Sequence, residues 1–472
     1  MKTRLNLFAI IISTLVLVGI TFGQDDRKSN SFDSMIDSIV EDSFTRFDEK
    51  YNTYIFTDEP REYGEEDDDL EDWSNDSRFL RRKRISNSRL YAGTNDSRLN
   101  QAAYISYPWE LNNEHFFLRY NRVEALFLGL NYPNSYTWDE RSASLFGSVG
   151  YGFASHRWRY SGGVSQQFGM GTTLIELGVE GHSLTDTKDQ WIIDETENSL
   201  ASFFVRDDYR DYFGREGVSG WFGLFGKWKS SDMQFRAAYL NDQYQSLDWK
   251  TNWSVFGGDK LFRDNPPVWE GRMRSVLASF EIHQEKQRTY FTSGWKAALS
   301  AEVAGTSFGG DFEFNKYVID FIRYQPLSKY ENLNFRLRAG STTGDVPPQK
   351  WFELGGISTL PAFSYKEFPG NRIALFNAEY MLNGKIFDAV DVFPSWLLRN
   401  CNLMLFYDAG YANAVAGNEK FDKGFENLSA STIKSDWGIG IGSRDAKLRL
   451  GFAWRTDVAE PVHAFLRLNR PF

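Results

Sequence analysis

From about residue 100 onward, apolar and polar positions alternate with a period of two. Leu333, Phe335, Leu337 and Ala339 fall on one face of an extended segment; Asn334, Arg336 and Arg338 fall on the other. Trp295, Ala297, Leu299, Ala301 and Val303 oppose Lys296, Ser300 and Glu302 in the same way. Trp437, Ile439 and Ile441 alternate with Gly438, Gly440 and Gly442, and Leu448, Leu450, Phe452 and Trp454 with Arg449, Gly451, Ala453 and Arg455. Period two is the signature of β-strands, because successive side chains leave a strand on opposite sides. A soluble antiparallel sandwich alternates too. Its dry core cannot absorb the Arg, Lys and Glu carried by the polar faces here. A transmembrane barrel with lipid outside and a wet interior can. The pattern therefore predicts an all-β chain forming a transmembrane antiparallel β-barrel over residues 101–472.

Fifteen strand segments can be counted, starting with 116–131. Single-chain bacterial barrels have an even number, and their long loops lie outside. With both termini periplasmic, long loops must follow odd-numbered strands. Both rules are met by one more strand near the start, either Ala102–Trp109 or a split of 116–131. The expected count is sixteen. The long 342–370 connection then follows strand eleven and becomes the sixth outer loop.

The first hundred residues differ. Lys2 and Arg4 precede an apolar run from Leu7 to Ile20, which is too short to span and reads as a secretory signal ending near Gly23. Between Asp58 and Asp76 lie eleven acids and one base, followed by Arg81-Arg82-Lys83-Arg84. Such blocks bury little apolar area, so residues 24–100 are expected to be a disordered, acidic periplasmic segment. Ser31–Phe47 has the spacing of a short amphipathic helix.

Composition narrows the chemistry. Aromatic residues make up 17%, charged residues 25%, and mean hydropathy is -0.47, which excludes a polytopic helical membrane protein. One cysteine and five histidines exclude a disulfide scaffold and Cys/His zinc modules. A net charge of -10 argues against nucleic acid. No metal, cofactor or catalytic set is assigned. His182-Ser183 is the nearest approach to a lipase pair, without convergent spacing. Asp186, Asp189, Asp194, Glu195 and Glu197 read most simply as a solvated outer loop, less simply as a divalent-cation site. The glycines at 438, 440 and 442 have strand period and no following helix, so they are not a nucleotide loop.

Residues 351–380 (WFELGGISTLPAFSYKEFPGNRIALFNAEY), FYDAG at 406–410 and the closing LRLNRPF together resemble the bacterial surface-antigen superfamily of outer-membrane assembly and translocation barrels. The likeness is weaker over 121–130 and 201–217. It implies a 16-stranded barrel whose sixth outer loop folds into the lumen, carrying a Val/Leu-Arg-Gly-Phe/Tyr tetrapeptide whose Arg docks on acids of the wall. Here the tetrapeptide reads Leu360-Pro361-Ala362-Phe363, keeping the apolar ends and losing Arg and Gly. Glu379 and Asp408 fall on the wall-acid positions, and Lys366 or Arg372 offers a replacement cation. Terminal Phe472 matches the C-terminal aromatic of outer-membrane barrels. Secretion members also carry periplasmic polypeptide-binding domains, whose strand and helix alternation residues 24–100 lack.

The expected role is insertion or translocation of protein, or of lipid, at a Gram-negative-type outer membrane. Its partners would be membrane lipids and a polypeptide client or assembly-machinery protein. The alternative is a structural or diffusion-pore barrel; an outer-membrane lipase is more remote. If residues 24–100 are a linker, deleting residues 25–90 leaves the barrel's heat-dependent shift in gel mobility intact. Failure of the truncated chain to fold in detergent would make the segment a plug or strand donor instead.

Overall fold

The computed structural model describes residues 115–468, apart from 133, 135–140, 229, 289, 390–397 and 444–447. The signal, the acidic segment, Ala102–Trp109 and Phe472 lie outside the described residues. The chain contributes β1 (Phe116–Asn121), β2 (Ala125–Tyr132), β3 (Ser142–Gly152), β4 (Arg157–Met170), β5 (Thr173–Thr187) and β6 (Tyr212–Trp228). There follow β7 (Ser231–Ser246), β8 (Gly271–Gln287), β9 (Thr292–Ala304), β10 (Phe314–Pro326) and β11 (Glu331–Gly344). A small hairpin, β12 (Phe352–Leu354) and β13 (Phe368–Gly370), precedes β14 (Arg372–Asn383), β15 (Cys401–Asn413), β16 (Lys434–Ser443), β17 (Leu448–Arg455) and β18 (His463–Leu468). One 11-residue helix, α1 (Glu195–Val205), lies between β5 and β6.

All strands except β12 and β13 form one 16-stranded sheet in simple sequence order. Each neighbour pairing is antiparallel, from β1 with β2 to β17 with β18. It is the wall of an all-β transmembrane barrel. The sixteenth strand comes from a break in the 116–131 run, where Arg122–Glu124 turns β1 back onto β2. Asn121 makes that turn, its side-chain oxygen accepting from the backbone N–H groups of Val123 and Glu124 at 3.0 and 2.7 Å. Long connections follow β5, β7, β11 and β15, at the outer end. The 384–400 connection is the longest at the other end.

The two faces of the wall are inverted relative to a soluble sheet. On β11, Leu337 is 54% exposed while its neighbours Arg336 and Arg338 are 5% and 2% exposed. Leu145, Val164, Val179, Leu299, Ile319, Leu405 and Ile439 point outward in the same way. The buried inner charges are compensated in place: Asp320 of β10 receives both Arg336 and Arg338. Arg338 also lies 4.1 Å from the ring centroid of Trp191, a residue of the third outer loop. Burying an unpaired charge costs several kcal/mol, so an interior this charged requires such pairing.

The lipid face predicts a directional effect. Leu337→Arg places a charge against acyl chains and should destabilise the barrel by up to about 2–4 kcal/mol, depending on depth. The check is the temperature at which the compact band of unboiled protein is lost on a detergent gel. An unchanged temperature would put Leu337 away from lipid.

Candidate functional site

The sixth outer loop, 345–371, enters the barrel as the β12–β13 hairpin. Its tip is turned by Gly355 and Gly356, with φ of 114° and 81°. A side chain at Gly355 would also meet the Ser364 carbonyl at 2.3 Å, so Leu354-Gly355-Gly356 permits both the turn and the close packing. Leu360, Ala362 and Phe363 are fully buried beyond the turn, packed with Phe352, Leu354, Ile373, Leu375, Phe406 and Ala453. Gly410 of the wall makes room for this, since a Cβ there would lie 2.9 Å from Leu360 Cδ1. Arg455 lies over the Phe363 ring at 4.4 Å, and Phe363 meets Phe368 edge-on at 5.4 Å. Burying Leu360 and Phe363 contributes about 1.5–3 kcal/mol each.

The polar half of the motif is arranged differently. Pro361 lines a cavity of about 60 Å³ with Asn377, Glu379, Asp408 and Arg449. Glu379 is paired by Arg449 of β17 at 2.7 Å, a cation from the wall rather than from the loop. Asp408 accepts from Asn377 at 2.6 Å. The Ala362 amide donates to Asp436 at 2.9 Å, and Thr359 O accepts from Asn377 at 3.1 Å. Arg372 faces the seventh outer loop, donating to the carbonyls of Lys420 and Lys423 at 3.0 and 2.8 Å.

Lys366 is the loop's buried cation, but its partners are not Glu379 and Asp408. Its Nζ meets Asp189 at 2.8 Å and Glu353 at 2.9 Å, and also pairs with Asp211. Lys188 shares Glu353 at 3.0 Å, and Arg263 of the fourth outer loop joins Asp211. Arg122 of the β1–β2 turn reaches Asp208 and Asp211, each at 3.2 Å. Four outer loops thus converge on a few carboxylates. Lys366 holds a left-handed backbone, φ 57°, which costs about 1–2 kcal/mol for a residue with a Cβ. Ser358, with φ 65°, is the other such residue in this loop, and its hydroxyl donates to Ile192 O at 2.6 Å. Both strained positions are therefore contacts from the sixth loop to the third.

The third loop departs from the solvated segment expected from its acids. Asp186 pairs with Arg215 at 2.9 Å, Asp189 with Lys366, and Glu197 with Arg467 at 2.8 Å. Asp194 caps α1, accepting from Glu197 N at 2.7 Å. Among the described residues no cluster suited to a metal ion is present. His182 is held by Asp242 at 3.0 Å and Glu180 at 3.2 Å, while the Ser183 hydroxyl accepts from Arg159 at 3.4 Å.

Residues 284–462, which include this whole loop and the strands that receive it, match the Omp85 superfamily domain. That segment therefore carries an Omp85 superfamily domain. The outer membrane protein assembly factor BamA of Nitratidesulfovibrio vulgaris is 22% identical over 336 residues, 65% of this chain and 39% of that protein. The chain thus spans about two fifths of that relative's length. Among solved structures, BamA from Haemophilus ducreyi lacking POTRA domains 1–3 aligns at a TM-score of 0.42 and 12% identity, covering 75% of this chain and 68% of that one. CdiB from Acinetobacter baumannii aligns at 0.39 and 10%, covering 76% and 60%.

The loop anchor is open to test by substitution and by acid. Burial alone would raise Asp211, but Lys366 and Arg263 hold it well below the ordinary carboxylate range. Glu353 is lowered too, as Lys188 and Lys366 outweigh its desolvation. Asp189 goes the other way, its burial outweighing Lys366. Groups with depressed folded pKa values stabilise above the unfolded value and lose that contribution as pH falls through and below about 4. The docked loops should therefore become protease-sensitive between roughly pH 4 and pH 2, with Asp189 blunting the change. Lys366→Met leaves carboxylates buried without their cation and should cost about 3–5 kcal/mol, exposing the loops already at pH 7. Equal protease resistance of Lys366→Met and wild type would remove this anchor.

Proposed function

We propose that this Omp85 barrel inserts or translocates polypeptide at the outer membrane of a Gram-negative-type cell. The observation that carries the proposal is the inward sixth loop, with Leu360 and Phe363 seated on the wall inside the segment that matches the superfamily domain. In this scheme residues 1–23 export the chain and residues 24–100 form a periplasmic lead-in. Membrane lipid meets the outer face, and the client or assembly-machinery protein is a polypeptide. The assembly role of the Nitratidesulfovibrio relative, an outer membrane protein assembly factor, supports the same direction.

The diffusion-pore alternative is weighed against by what occupies the lumen. The third and sixth loops stand inside the wall, tied together by Lys366 and by the Ser358 contact to Ile192. A cavity of about 80 Å³ separates parts of them from the strands, lined by Lys188, Trp191, Arg338 and Lys350 among others. That volume is two or three waters' share of liquid.

Depletion in the native cell, followed by quantitative proteomics of the outer membrane, tests the role. The expected result is loss of a defined set of outer-membrane or exported proteins, with purified barrel showing little steady conductance in a planar bilayer. An unchanged proteome together with steady conductance would establish the pore reading instead.

A further inference from the structure

The first and last strands of the wall are both held by one helix. Glu197 of α1 accepts the backbone N–H of Leu468, in β18, at 2.8 Å. The same carboxylate takes the Arg467 guanidinium through Nε at 2.8 Å and Nη2 at 3.2 Å. Two residues along, the Ser199 hydroxyl accepts the backbone N–H of Tyr120, in β1, at 3.2 Å. Glu195 also receives Arg119 of β1 at 3.3 Å, and the Tyr120 ring meets Phe203 edge-on at 5.4 Å.

Positions i and i+2 of an α-helix point about 200° apart. Glu197 and Ser199 therefore project to opposite sides of α1, and for both to reach strand backbone the helix axis must run between β1 and β18. The helix is built for this position. It buries its polar residues Glu197, Asn198, Ser199 and Ser202, while Phe204 and Val205 are exposed. Asn198, between the two contact residues, donates to Asp208 and Tyr212, both at 2.9 Å, fixing the helix to the base of its own loop. The acids at the start of α1 favour the positive end of the helix dipole as well.

We propose that α1 is a luminal clasp across the seam of the barrel. Its side chains take up backbone donors of the first and last strands, and its release frees both. The sixth loop secures the clasp: Ser358 accepts from Arg467 and donates to Ile192, just before the helix. Movement of the sixth loop is thereby coupled to the seam through Arg467. This inference concerns the purified barrel and holds whether or not it handles polypeptide.

Amide hydrogen exchange and spin-label distances test it on the whole barrel in lipid nanodiscs. In a Cys401→Ser background, nitroxides at Leu130 and Leu466, both on the outer face beside the seam, report its width. Glu197→Ala should raise exchange at the Leu468 amide at least tenfold, and Ser199→Ala should do so at Tyr120. The double variant should shift or broaden the Leu130–Leu466 distance, while amides in the β5–β6 ladder keep their wild-type rates. Compact mobility of unheated protein confirms that each variant is folded. If the double variant does not fold, Ser199→Ala, which removes one hydroxyl, carries the test through the Tyr120 amide. Wild-type exchange at the targeted amides with an unchanged distance distribution would overturn the clasp.

Discussion

Lys366 is a cation buried among Asp189, Asp211 and Glu353, and the contents of the barrel depend on it. A wall whose inner face carries many charges cannot be filled by ordinary apolar loops, because each buried charge needs a partner of opposite sign. The third and sixth loops supply those partners to each other, and Arg263 and Arg122 extend the cluster to the fourth loop and the β1–β2 turn. The desolvation penalty makes such a cluster a weak source of net stability but a strong source of register, since a misplaced loop leaves several charges unpaired at once.

The sixth loop is consequently held by two kinds of force on two sides. Leu360, Ala362 and Phe363 bury apolar surface against β14, β15 and β17, close to where Gly410 thins the wall. Lys366 and Ser358 face the third loop instead. Where the resemblance implies a loop arginine docked on the wall acids, Glu379 is paired by Arg449, a wall residue, so acid and cation are paired without the loop. The loop's electrostatic anchor lies in a neighbouring loop, and Ser358 links the sixth loop to Arg467 of the last strand.

Period two was enough to read the wall, because one lipid-facing side chain in every two leaves an unbroken record in residues such as Leu333, Leu337 and Ile439. The short β1–β2 turn was legible only as a counting defect, since Arg122–Glu124 carries no glycine or proline to mark it. Leu360 and Phe363 were legible by resemblance, and Lys366 as a candidate cation. Its partners were not, because Asp189 and Asp211 lie in a loop whose acids look solvated until the lumen that receives them is known. Helix α1 was hidden for a related reason: its buried face is the polar one, so apolar spacing gives no sign of it.

A double-mutant cycle between Lys366 and Asp211 measures the pairing on which this arrangement rests. Lys366→Met, Asp211→Asn and the double variant are compared by reversible unfolding of the barrel from detergent or lipid. If the two residues share a buried ion pair, the costs are strongly non-additive, with a coupling of about 1 kcal/mol or more, because the second substitution removes a charge the first left stranded. Additivity within about 0.5 kcal/mol would mean the residues do not meet in the folded barrel, and that the loops are held inside it by other contacts.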